Sequence, residues 1–177
     1  MKMNSAKLRK SRPGELDSIK NKKTEIYIIL DNVLDTYNVG AVFRLADATA
    51  CKKIFLCGYT ETPPNTRIKK SSINTVDLTE WEHCETAADA VRRLKTKNPK
   101  LKTIAIEQSS KSIPYTEANY EFPIVLVVGN ETHGISREVL GMVDQIVELP
   151  MFGINVSLNV MVSLGIVLYE AIKKNSL

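Results

Sequence analysis

Short continuous runs of apolar residues alternate along this chain with segments whose apolar residues recur at helical spacing. Residues 26–30, 53–57, 78–84, 101–106, 124–128 and 145–149 read as strands. The Ile-Val-Leu-Val-Val run at 124–128 is continuous and mostly β-branched. Helical spacing falls between them. Asn38 is placed to cap a helix through about residue 50, with Val42, Phe43 and Ala46 on one face. Residues 87–95 form a second helix, ended by Asn98-Pro99; Ser136 is placed to cap a third, to about residue 143. The last helix spans 159–174. Residues 59–75 are polar, contain two prolines and read as a long loop. Uninterrupted apolar strands alternating with helices predict one α/β domain: a mostly parallel sheet of five or six strands with helices on both faces.

The uncharged stretch at residues 151–169 resembles a membrane span only in length. It contains Asn155, Ser157, Asn159, Ser163 and two glycines, and reads as a turn feeding a buried helix. That helix is apolar nearly all round, through Val160, Met161, Val162, Leu164, Ile166, Val167, Leu168 and Ile172. Such a helix must be covered on more than one side, which in so small a domain points to a homodimer.

Charge divides the chain unevenly. Of 177 residues, 24 are Lys or Arg and 20 are Asp or Glu, a net +4. Residues 1–24 hold eight basic side chains, Arg9, Lys10 and Arg12 among them, against two acids; this arm carries +6 and the remainder −2. A basic arm (1–24) on a near-neutral body (25–177) suits a polyanionic partner such as RNA, and the cluster Arg67-Ile68-Lys69-Lys70 suits phosphate contact as well. A solvated tail is the plainer alternative for the arm. The first ten residues lack the apolar stretch of a secretory signal. Three cysteines, with no CxxC pair, argue against a disulfide framework and for a reducing, cytoplasmic setting. His83-Cys84 has no second ligand pair, so no metal is expected.

Neither GxGxxG nor GxxxxGK nor GxSxG occurs, so the common phosphate cradles and the nucleophile elbow are missing. The chemistry-bearing residues gather instead at three turns that follow strands, where α/β sheets bind ligands. The first is Asn38-Val39-Gly40-Ala41-Val42-Phe43-Arg44. Gly40 and Arg44 share a helical face, where bare backbone and a planar cation could hold a phosphate. A capped helix with Arg44 paired to Asp31 or Asp47 is the alternative. The second, Gly129-Asn130-Glu131-Thr132-His133-Gly134, carries one carboxylate that could orient Arg44; His133 could be an acid or base, or merely solvated. The third runs from Leu149-Pro150-Met151 to Ser157-Leu158-Asn159-Val160. It offers backbone groups and apolar walls of the kind that line a purine pocket, with Ser157 or Asn159 capping the last helix.

In this order and spacing, the three segments resemble the motifs of the SpoU (TrmH) family of RNA ribose 2′-O-methyltransferases, of the SPOUT class. N-x-G-x-x-x-R matches Asn38, Gly40 and Arg44. G-N-E-x-x-G matches Gly129, Asn130, Glu131 and Gly134. The [IL]-P-M…S-L-N-V pattern matches Leu149 to Met151 and Ser157 to Val160. The similarity covers about residues 25–174. It implies a C-terminal trefoil knot, which periodicity could not reveal, and a homodimer formed through the knotted region. It implies S-adenosyl-L-methionine as cofactor, bound by Gly129, Leu149, Met151, Ser157, Leu158 and Asn159, with Glu107 and Gln108 as a further wall. Catalysis would fall to Arg44, with Asn38 and Glu131 fixing its geometry. RNA would be held by Arg44, Lys69, Lys70, Arg9, Lys10 and Arg12. Compact members of the family include tRNA modifiers, so tRNA is favoured over ribosomal RNA. Two other readings are a non-catalytic RNA-binding knot and a small-molecule enzyme with a nucleotide cofactor.

Overall fold

Seven strands form one sheet in the order β3-β2-β1-β6-β4-β7-β5, and every neighbouring pair is parallel. The computed structural model describes residues 23–175 together with 4, 6 and 7. Arg9, Lys10 and Arg12 lie outside the described residues.

The strands are β1 (Ile26–Asp31), β2 (Lys53–Cys57), β3 (Trp81–Cys84), β4 (Lys102–Ile106), β5 (Ile113–Pro114), β6 (Ile124–Gly129) and β7 (Gln145–Glu148). The helices are α1 (Thr36–Ala48), α2 (Thr66–Ser72), α3 (Ala87–Lys97), α4 (Arg137–Leu140) and α5 (Val160–Asn175). All six residues of β6 are buried, as expected for a strand covered on both faces. The even residues of β1, Ile26, Ile28 and Leu30, join Val39, Phe43, Leu164 and Leu168 in one core, against α1 and α5. Ile29, Val125 and Val127 face the other way, into a second core with Val91, Leu94 and Val139 of α3 and α4.

The strand order is interlaced. β6 sits between β1 and β4, and β7 between β4 and β5, so each later strand fills a gap between earlier ones. The sheet thus changes direction beside β1, and the carboxyl ends of β1, β6, β4 and β7 stand side by side. That is where open α/β sheets place their ligands.

Several expectations are corrected. The sheet has seven strands because β5 is only two residues long, too short to leave a pattern. Residues 59–75 are not one loop. Asn65 accepts hydrogen bonds from the backbone N–H groups of Arg67 and Ile68 and starts α2, which is anchored by the buried Ile68. Lys69 and Lys70 are therefore exposed on a helix rather than a loop. The expected strand at 78–84 begins only at Trp81, after a 3-10 turn at Thr75–Leu78. Asn38 does not cap α1. Asp35 does, accepting from the Tyr37 N–H, and Asn38 is buried in the first turns. Ser136 stands at the N-cap of α4 without a side-chain cap bond, and that helix ends at Leu140.

Gly40 also plays a different part. It is buried where α1 crosses α2, and a Cβ there would overlap the Ser71 hydroxyl and crowd the Ile68 carbonyl. The glycine permits a close helix crossing, not the approach of an anion. The last helix behaves as its composition suggests. Leu164, Val167, Leu168 and Ala171 are buried, while Val162, Ile166 and Tyr169 face outward.

Candidate active site

The turn after β6 is held by its own backbone. Asn130 and Gly134 exchange N–H to carbonyl bonds of 3.1 and 2.9 Å. The Asn130 side chain accepts from the N–H groups of Thr132 and His133 and donates to the Asn32 carbonyl. The loop is so tight that a Cβ on Gly129 would collide with the backbone of Gly134 and Ile135. Gly134 has φ +67°, a left-handed conformation that glycine adopts freely. A Cβ there would meet the Glu107 carboxylate, which accepts from the Ile135 N–H at 2.9 Å.

This turn projects Glu131 towards the start of α1. Its two oxygens accept from the N–H groups of Leu34 and Asp35, each at 3.0 Å, and from the Asn38 side-chain amide at 3.0 Å. Asn38 in turn accepts from the Asn159 side-chain amide at 3.0 Å. Asn159 caps α5, accepting from the N–H groups of Met161 and Val162. Glu131, Asn38 and Asn159 thus form one hydrogen-bonded chain that joins the three turns singled out in the sequence. Partial burial pushes the Glu131 carboxyl up, but donation from Leu34, Asn38 and Asp35 outweighs it and holds the group below the ordinary Glu range.

A carboxyl depressed in this way stabilises the fold fully above its unfolded pKa, and the contribution fades as pH falls through the lower folded value. Glu131→Gln should therefore show a flatter loss of melting temperature than wild type between about pH 4.5 and pH 3, where an unperturbed Glu titrates. Parallel acid limbs in a thermal-melt series would remove this role for the carboxylate.

Arg44 stands two turns into α1, exposed, and among the described residues it has no hydrogen bond or ion pair. Asp31 is committed elsewhere, accepting from Asn32 Nδ2 and from the Ser136 N–H. Neither Glu131 nor Asn38 makes a hydrogen bond or ion pair with Arg44; they act on it only through its helix. They fix the N-terminus of the helix that carries it.

Beside this chain lies a cleft of about 470 Å³, within the usual size of a small-molecule site. Leu149, Met151, Ser157, Leu158 and Asn159 line it, as do Glu107, Gln108 and Glu131. Gly129 does not; it is buried beneath, and Gly134 lines the wall in its place. The Gln108 side-chain amide donates 2.7 Å to the Val156 carbonyl, tying the end of β4 to the 149–159 loop. That clasp is not legible in the sequence, because its partners are 48 positions apart. A cleft lined by both polar and apolar groups, carboxylates among them, suits a purine nucleoside bearing a cationic group.

His133 is exposed, and its backbone N–H serves the turn. The three cysteines are free and buried. Burial pushes the Cys51 thiol up to about 11 and raises Cys57 and Cys84 as well, which leaves them inert. Among the described residues no group of three or more His, Cys, Asp or Glu could hold a metal ion. No helix among them is long and apolar enough to cross a membrane.

Comparison with known proteins points one way. The model of the SpoU rRNA Methylase family matches residues 25–169. The tRNA (guanosine(18)-2′-O)-methyltransferase of Aquifex aeolicus is 33% identical over 157 residues, 86% of this chain and 71% of that protein. The 23S rRNA (guanosine-2′-O-)-methyltransferase RlmB of Ralstonia nicotianae is 28% identical over 151 residues, 85% of this chain and 59% of that one. Among solved structures, an AdoMet-bound rRNA methyltransferase from Sinorhizobium meliloti superposes with a TM-score of 0.78 at 27% identity, covering 94% of this chain and 60% of that chain.

Proposed function

The chain belongs to the SpoU methylase family, and from that premise we propose that it transfers a methyl group from S-adenosylmethionine to a ribose 2′-hydroxyl of RNA. The observation that carries this reading is the Glu131–Asn38–Asn159 chain, which ties the cofactor-sized cleft to the helix bearing Arg44, unpaired among the described residues. When bound, S-adenosylmethionine supplies a methyl carbon already activated by its sulfonium. The protein's part is therefore position and charge. Leu149, Met151, Leu158 and the Gly134 backbone are the walls for the adenosine; Ser157, Asn159 and Glu131 supply polar contacts. Gly129 contributes from below, by letting the turn close.

Arg44 holds an RNA phosphate and stabilises the negative charge that develops on the 2′-oxygen. A guanidinium stays protonated, so it is a poor base, and the hydroxyl proton leaves to water or a phosphate oxygen. Asn38 and Glu131 are positioning residues for this step, acting through the start of α1. The trefoil knot and a cytoplasmic setting follow from the family and belong to the same reading.

tRNA is the favoured substrate and ribosomal RNA the second; relatives of both kinds match. The test is transfer of radiolabelled methyl into unmodified tRNA and ribosomal RNA, with digestion to locate a 2′-O-methyl nucleoside. Label in one pool identifies the substrate class. No label in either, while S-adenosylhomocysteine still stabilises the protein, favours the silent RNA-binding knot.

The cations of α2 supply phosphate contact beside Arg44. Replacing Lys69 and Lys70 together by Ala should lower the slope of log affinity against log salt by about 1.5, the share of two released counterions. An unchanged slope in filter binding removes them from the RNA path.

A second copy of this chain covers the outward apolar side. Phe152, Ile154 and Val156 are 94%, 102% and 73% exposed, and they run on to Val162, Ile166 and Tyr169 of α5. Sedimentation at micromolar concentration should give twice the chain mass; a single-chain mass overturns the dimer.

A further inference from the structure

A second groove, of about 450 Å³, opens at the carboxyl ends of β1 and β2, on the α3 side of the sheet. Its floor is made of small residues, Gly58, Ala87 and Ala88, and Tyr59 stands at its edge, 85% exposed. An aromatic ring so exposed contributes little to folding, yet its backbone is bolted down. Gly58 has φ +62°, and its N–H donates to the Cys84 carbonyl at 3.0 Å. The Tyr59 N–H donates to Asn32 Oδ1 at 3.0 Å, and Asn32 itself is held at φ 57°. Thr60 follows, buried, its hydroxyl donating to the Leu30 carbonyl. The fold holds the Tyr59 backbone rigid and turns its ring to solvent.

The groove lies close to the cleft. Asn32, which anchors Tyr59, also accepts through its carbonyl from the Asn130 side chain, in the turn that carries Glu131. Its rim is acidic. Glu138 is paired with Arg92, but Glu85 has no partner among the described residues. Carboxylates repel phosphate but accept N–H donors, as those of nucleobase edges do. A small-residue lining beside an exposed aromatic ring on an anchored backbone suits a planar base.

We propose that this groove takes an unpaired nucleobase of the substrate RNA, stacked on Tyr59 with its N–H edge towards Glu85. The inference rests on the RNA-methyltransferase reading. A second copy of the chain is a poorer occupant, because the outward apolar stripe lies across the sheet, on α5. Stacking is sequence-tolerant and independent of salt-bridge formation, so it has a signature that phosphate contact lacks.

The experiment is anisotropy of a labelled single-stranded octaribonucleotide, which needs no turnover, run beside the methyl-transfer assay. Tyr59→Ala should weaken binding roughly tenfold with an unchanged salt slope, and Tyr59→Phe should bind like wild type. The exposed position predicts an unchanged melting temperature for both, and S-adenosylhomocysteine affinity should not move. Wild-type affinity in Tyr59→Ala, an equal loss in Tyr59→Phe, or no binding of the octamer by wild type would each overturn the proposal. Wild-type protein that binds the octamer through Tyr59 but methylates no RNA would overturn the enzymatic reading and leave the groove standing.

Discussion

Arg44→Ala should lose methyl transfer by at least about a hundredfold while binding S-adenosylhomocysteine as tightly as wild type. The size is that of removing one group that stabilises charge developing in the transition state, which typically costs ~10²–10³ in rate. The selectivity follows from position. Arg44 lies outside the walls of the cleft, and among the described residues its side chain makes no bond whose loss would loosen α1. Arg44→Lys keeps the charge but not the planar fork, and should fall between the two. Isothermal titration with S-adenosylhomocysteine and a labelled-methyl assay decide the matter together. Weakened cofactor binding in Arg44→Ala would end the role given to this residue, since it would make Arg44 part of the cleft.

Gly129→Ala should be strongly damaging for so small a substitution. The added carbon has backbone atoms of Gly134 and Ile135 on top of it, not a side chain that can swing aside. Relief requires breaking the Asn130–Gly134 exchange, and with it the loop that aims Glu131 at α1. A loss of about 3 kcal/mol is expected, at the upper end for overpacking a tight site, together with loss of cofactor binding. For a chain of this length that lowers the melting temperature by roughly 6–12 °C. Gly153→Ala is the control. Its Cβ would meet nothing within 4 Å and should leave the melting curve in place. A Gly129→Ala protein melting within a degree of wild type would contradict the tight-turn account.

The parts legible in the sequence were those set by local chemistry. β6 is a run of five apolar residues and is found where the run lies. The three turns were recognisable because each places a glycine or an amide-bearing residue at a strand end. Two of the misreadings, at Gly40 and Asn38, share one cause, a partner distant along the chain. Gly40 and Arg44 share a helical face by spacing, but α2 packs against the glycine, and nothing local announces that crossing. Asn38 looks like an N-cap because Asn commonly is one. Its side chain is taken by Glu131, 93 positions away, and Asn159, 121 away, so Asp35 caps the helix instead. α2 was hidden among prolines and charges, since one buried side chain, Ile68, gives no period. Glu131 stands in the turn after β6, but two of its bonds run to backbone N–H groups that carry no sequence signal.

The interlaced strand order bears on how the protein is made. During synthesis, β1 and β4 leave the ribosome before β6 exists to lie between them, and β4 and β5 before β7. A nascent chain ending near residue 120 therefore holds two strands whose facing edges cannot be joined, and exposed edges are templates for aggregation. The centre of the sheet is completed only when residues 124–129 arrive, and the cleft only when 145–160 follow. Assembly is thus weighted to the end of translation, and to contacts between distant parts of the chain, which slows it. A truncated product would carry neither a finished sheet nor the cleft, and its open strand edges would be prone to aggregate.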